Sequence, residues 1–177
     1  MNDFKLLYLC STILLVFFSC RRGEIIEEFD YGPPSLTAKI NGETFSVDSL
    51  LVSASYSIID DRTQTLSISG APPAFNGIVE GLALVLISAD STAFQTGENY
   101  IAGSLNKRGA GEYFVDNGTN RIDALSENTN IATLVITEID YLEKLVSGTF
   151  SFDAFDEDDP DKIYQVREGE FKNVSFD

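Results

Sequence analysis

An antiparallel all-β domain, folded as a sandwich or a flattened barrel of about ten strands, is what three features of the sequence predict. Apolar and polar residues alternate with period two in several stretches. Turn signals such as Asn41-Gly42 and Asp60-Asp61 separate those stretches. Strand, turn and strand follow one another almost without interruption, so neighbours in sequence pair as hairpins or meanders.

Residues 36–40 and 43–47 flank Asn41-Gly42 and read as a hairpin, because that dipeptide takes the positive φ angles of a tight turn. Residues 50–59 alternate Leu50, Val52, Ala54, Tyr56 and Ile58 with three serines, one face dry and one wet. Residues 63–69 answer across Asp60-Asp61, with Leu66 and Ile68 facing in. Pro72-Pro73 breaks the run. Residues 78–88 hold a continuous apolar stretch, expected to be a central strand covered on both faces at its far end. Residues 90–95 fit one helical turn, and 97–102 and 112–116 fit strands around a glycine-rich basic loop. Residues 117–130 read as loop. Residues 131–138 and 145–154 form the next pair, with Val146, Gly148, Phe150, Phe152 and Ala154 on one face. Residues 162–168 and 170–176 close the chain as two strands.

Ahead of this domain the chain has a different character. Residues 6–18 are thirteen positions with nothing polar except Ser11 and Thr12, followed by Ser19-Cys20. A permanent membrane helix needs ~18 or more apolar residues, so the run has the length of a secretory signal's core. The ending resembles the bacterial lipoprotein signal, in which a small residue precedes a cysteine that receives a diacylglycerol. Phe17 stands where that pattern prefers an aliphatic residue. The division expected is a signal over 1–19, a lipidated Cys20 and flexible tether over 20–35, and one β domain over 36–177. Such an anchor implies the cell envelope, at the outer membrane on its periplasmic or outward face.

Composition sets further bounds. A domain of ~140 residues buries about two-thirds of its surface. The whole chain holds thirteen Phe and seven Tyr, enough to supply a core, and no Trp. Only Cys10 and Cys20 exist, so no disulfide holds the domain. A net charge of −16 repels phosphate backbones, which excludes nucleic acid as a partner, and also anionic lipid, which leaves attachment to the anchor.

The opening Leu36-Thr37-Ala38-Lys39-Ile40-Asn41-Gly42 with Phe45, and the closing 146–152 with Val166 and Glu168-Gly169-Glu170-Phe171, resemble a family of Bacteroidota envelope lipoproteins of uncharacterised function. The region of Gly97, Tyr100 and Tyr113 is similar to their middle segment. The resemblance spans 36–176 and implies a β-rich domain beside a membrane. It carries over no catalytic residue.

The chemistry available is narrow. No histidine exists, which removes Ser-His and Cys-His nucleophiles, histidine-bound zinc and the usual base near neutral pH. No phosphate-binding glycine pattern is present. Carboxylates remain, six of them within 153–161. Asp153, Asp156, Asp158 and Asp161 are the candidate ligands for calcium, the one cofactor the sequence admits, although Pro160 breaks the usual loop spacing. The other reading of the cluster is a solvated turn. Lys107, Arg108 and Arg121 are the one basic concentration, able to meet an acidic partner or to balance local carboxylates. The expected function is therefore a non-enzymatic binding or structural module with a protein or glycan partner. A lipocalin-like carrier of a small apolar ligand and a carboxylate-dependent hydrolase are the alternatives.

Overall fold

A computed structural model describes residues 32–126 and 132–177. The expected signal, Cys20 and the first part of the tether lie outside the described residues, as do positions 127–131. The described residues form eleven strands: β1 (Ser35–Ile40), β2 (Glu43–Asp48), β3 (Val52–Ile58), β4 (Gln64–Gly70), β5 (Val79–Ser88), β6 (Asn99–Ile101), β7 (Lys107–Asp116), β8 (Arg121–Leu125), β9 (Thr133–Asp140), β10 (Leu145–Asp156) and β11 (Ile163–Ser175).

All of them join one antiparallel sheet in the order β2-β1-β11-β10-β8-β7-β5-β4-β3, with β9 paired to β10 and β6 paired to β9. The sheet curls into a half-barrel. Its edge strand β3 comes round to meet the end of β11 through a parallel bridge between Ala54 and Phe176. The all-β antiparallel class is as predicted, and the architecture is a single curled sheet.

The local chemistry of the first hairpin is as expected. Asn41 and Gly42 take φ of 51° and 87°, and Leu36, Ala38, Ile40, Phe45 and Val47 line the inside. The alternation in β10 also holds, with Val146, Phe150, Phe152 and Ala154 all buried. On β5, Leu82, Leu84 and Leu86 are wholly buried, but Ala83, Val85 and Ile87 between them are half-exposed. The strand is therefore covered on one face only, because a single curled sheet has no second layer outside it.

Other expectations change in physically readable ways. Leu50 is 94% exposed in a 3-10 turn (Ser49–Leu51), so the strand begins at Val52. Residues 90–95 make no helical turn; the Asp90 carboxylate instead accepts the Thr92 N–H at 3.1 Å and folds an Asx turn. The stretch read as a glycine-rich loop is largely strand, since β7 starts at Lys107. Within the region read as loop, 121–125 is β8. The last two expected strands are one long β11 with a bulge, where Glu168 takes φ of 50° and the register shifts.

Glycines inside these strands explain the difference. Rings of Phe152, Phe171 and Phe150 lie against Gly111, Gly148 and Gly169 respectively. A Cβ on Gly109 would sit 2.7 Å from the Tyr100 carbonyl oxygen. At these positions the missing side chain makes room for a ring or a neighbouring strand, not for a turn. Phe150 stacks between Phe152 and Phe171 at centroid distances of 6.2 and 6.4 Å, which fills the middle of the curl.

Replacing Gly148 by Ala should therefore be severe. The new Cβ meets both the Phe171 ring and the Val135 carbonyl oxygen, and a backbone atom cannot retreat. We expect a loss of about 3 kcal/mol or more in denaturant unfolding. Gly118→Ala, at an open turn position with φ of 79°, should lose only ~1–2 kcal/mol. Equal losses for the two variants would contradict the ring-on-glycine packing.

Candidate functional site

Inward-facing positions change character along the strands. On β5 they run Leu86, Leu84, Leu82 and then Glu80. On β2 they run Val47, Phe45 and then Glu43, and on β11 Val166 precedes, toward the same end, Tyr164. On β7 the glycines give way to Tyr113. The same strand parity that delivers the apolar core thus delivers two carboxylates and two phenols to one mouth of the half-barrel. There Ile40, Phe45, Glu43, Glu80, Tyr113 and Tyr164 line a recess of about 280 Å³, with Asn41 and Thr44 on its rim.

Its geometry is defined by the tyrosines. The Tyr113 hydroxyl donates to Glu80 Oε1 at 2.7 Å. The Tyr113 and Tyr164 rings lie 4.8 Å apart, tilted by 50°. Lys162 places its ammonium 4.9 Å from the Tyr164 ring centroid and 3.4 Å from Asp156 Oδ2. Among the described residues, neither Glu43 nor Glu80 lies within ion-pairing distance of a lysine or arginine. Burial raises the Tyr113 phenol well above its ordinary range, and the hydrogen bond to Glu80 and the charges of Glu80 and Glu43 raise it further.

The other end of the curl is closed. Tyr56, Phe94, Tyr141 and Phe176 meet there edge to face or tilted, and the Tyr141 hydroxyl donates to the Phe94 carbonyl at 2.9 Å. Beneath them Glu98 accepts from Lys107 and, at 2.6 Å, from the Tyr100 hydroxyl. Burial raises the Glu98 carboxyl, but the hydrogen bonds and charge of Lys107 together with those from Tyr100 and the Gln95 N–H outweigh it, so the net shift is downward. Burial, then Glu98, raises the Tyr100 phenol strongly.

The four candidate calcium ligands are not brought together. Asp153 is paired with Arg167, and Asp156 accepts from Lys162 and from the Asp158 N–H, while Asp158 and Asp161 point to solvent. Among the described residues no group of three or more acids forms a cluster able to hold a metal. The reason is that β10 continues through Asp156, so its carboxylates alternate between faces instead of converging. Cys20 lies outside the described residues. The basic residues balance local acids: Lys107 pairs with Glu98, and Arg121 pairs with Asp123 and Glu112 while covering the Phe114 ring at 4.8 Å. Arg108 stays exposed on the outer face, at the edge of a shallow depression with Val85, Ile87 and Ala110. Glu43, Glu80, Tyr113 and Tyr164 were not legible as a site. Their signal was a charged residue on the dry parity of a strand, Glu43 beside Phe45 and Glu80 beside Leu82.

A family model described as a domain of unknown function (DUF6252) matches residues 32–175, and the chain belongs to that family. The match agrees with the expected membership of an uncharacterised family. No curated protein and no solved structure matches the chain.

Three of the tyrosines should titrate late: burial pushes the Tyr141 phenol up to about 12, and those of Tyr100 and Tyr113 further. An exposed phenol ionises near pH ~10. Because the phenols of Tyr100 and Tyr113 are raised in the folded state, they stabilise the fold below that pH and lose this contribution as pH rises toward their folded values. Ultraviolet titration should show these two phenolates appearing only with base unfolding. All tyrosines ionising together near pH ~10 with intact circular dichroism would contradict the burial described.

Proposed function

We propose that this member of the DUF6252 family is a non-enzymatic binding module, held at a bacterial envelope membrane by a lipid on Cys20, with the mouth of its half-barrel as the working surface. The observation that carries this reading is the recess lined by Tyr113, Tyr164, Glu43 and Glu80, where a strand pattern that elsewhere supplies core supplies polar and aromatic groups. A concave site at a barrel mouth, with a few convergent polar groups on an apolar floor, is a common place for a small ligand.

Several facts favour binding over turnover. No histidine is available, and Glu80 already accepts the Tyr113 hydroxyl. A lipocalin-like carrier is less well supported, because Phe94, Tyr100, Phe152 and Phe171 occupy the interior that an apolar ligand would need. Among the described residues no helix is long and apolar enough to cross a membrane, so in this reading attachment falls to the lipid. Two or more acyl chains make such attachment persistent, at ~0.8 kcal/mol per buried methylene.

Two measurements test the two halves of the proposal. In a bacterial host that lipidates envelope proteins, the chain should sediment with membranes and incorporate labelled fatty acid, and Cys20→Ser should lose both. An unlipidated chain in the wild type would overturn the anchor. For the mouth, small polar compounds that raise the thermal midpoint of the full chain in detergent should lose that effect in Tyr164→Ala. Compounds that stabilise the variant equally would overturn the mouth as the binding surface.

A further inference from the structure

We propose that the mouth is a receptor for an alkylammonium group, a protonated amine on a short aliphatic chain; this rests on the mouth being the binding surface. The first reason is charge. Glu43 and Glu80 are delivered to one recess, and among the described residues no lysine or arginine pairs with either. Tyr113 occupies Oε1 of Glu80, and Oε2 is left to accept an N–H from a guest. A guest cation would complete a pairing that the chain itself does not supply, and a partly enclosed site makes that attraction stronger than it is in water.

The second reason is the aromatic wall. The Tyr113 and Tyr164 rings, 4.8 Å apart, line the recess, and aromatic rings attract cations. The molecule already contains a version of the contact: the Lys162 ammonium rests between the Tyr164 ring, 4.9 Å away, and the Asp156 carboxylate, 3.4 Å away. A tyrosine ring beside a carboxylate therefore holds an ammonium in this protein, and the mouth brings the same two kinds of group together in Tyr113 and Glu80, joined there through the phenol hydroxyl.

Size and field narrow the guest further. A recess of about 280 Å³ suits one short chain; its lining is mainly polar, with buried Ile40 and Phe45 contributing a smaller apolar part. The net charge of −16 concentrates cations around the domain and repels anions. A neutral guest of the same length would gain that apolar part and lose both carboxylates.

The test is calorimetric titration of the full chain in neutral detergent with cadaverine, a linear diamine, and with the neutral diol of equal chain length. Saturable one-to-one binding is expected for the diamine and none for the diol. Glu80→Gln should weaken the diamine at least ~10-fold, and Glu157→Gln, at an exposed carboxylate outside the mouth, should leave it unchanged. Should Glu80→Gln not fold by circular dichroism, the exposed Glu43→Gln gives the same comparison. Equal weakening by Glu157→Gln would overturn the site in favour of diffuse charge attraction. Binding of the diol with shifted Tyr164 resonances, and none of the diamine, would overturn the amine while leaving the mouth as a binding surface. Silence from both, with no compound stabilising through Tyr164, would remove both.

Discussion

Rings laid against strand glycines are the contact on which this half-barrel depends. A strongly curled sheet brings its inner faces close, and ordinary side chains on every strand would overfill the space. The chain solves this by pairing absence with bulk: Gly111 beneath Phe152, Gly148 beneath Phe171, Gly169 beneath Phe150. Each ring gains a flat backbone surface, and each glycine regains the packing it gives up by having no side chain. The three phenylalanines stack on one another, so a change at any of the three glycines is felt along the whole row.

That solution has consequences for the two ends. With its middle filled by rings, the interior has no room for a cavity running its length, and any recess must lie at an end. One end is closed by Tyr56, Phe94, Tyr141 and Phe176, over the half-buried Glu98–Lys107 pair. The other keeps the inward parity of its strands but changes residue type, and so opens as a polar mouth. The asymmetry is written in single substitutions of character, glutamate after leucine on β5 and tyrosine after glycine on β7, not in any inserted loop.

Hairpins with clean alternation were legible from the residues alone. Asn41-Gly42 set the first register, and 145–154 showed its buried face without ambiguity. What misled were residues with two physical uses. Gly109 and Gly111 read as loop because glycine is permissive, yet here they serve close approach inside β7. Gly169 read as the break between two strands, yet Glu168-Gly169 is a bulge within one, since a positive φ can bend one strand as well as join two. The acidic run at 153–161 looked like converging ligands, but half of its candidates sit on an extended strand and are already matched by Arg167 and Lys162. No sequence motif marks the mouth; its four residues lie on four strands and meet only when the sheet curls.

The distribution of charge ties these parts together. In a chain with 28 acidic and 12 basic residues, cations are scarce, and where they are spent is informative. Lys39 and Lys172 go to the surface acids Glu168 and Glu170. Others go to Glu98 at the closed end, to Asp153 and Asp156 on β10, and to Glu112 and Asp123 on the outer face. Each of these last five carboxylates is partly or wholly desolvated, and an unpaired buried charge is the costlier alternative. Half-buried Glu80 at the mouth has no such cation, and a phenol donates to it. Asp90 and Asp116 are likewise half-buried without a cation, but hydroxyls and backbone N–H groups of their own turns bond them; at the mouth the carboxylate faces a recess instead, and a cationic ligand there would supply the missing charge.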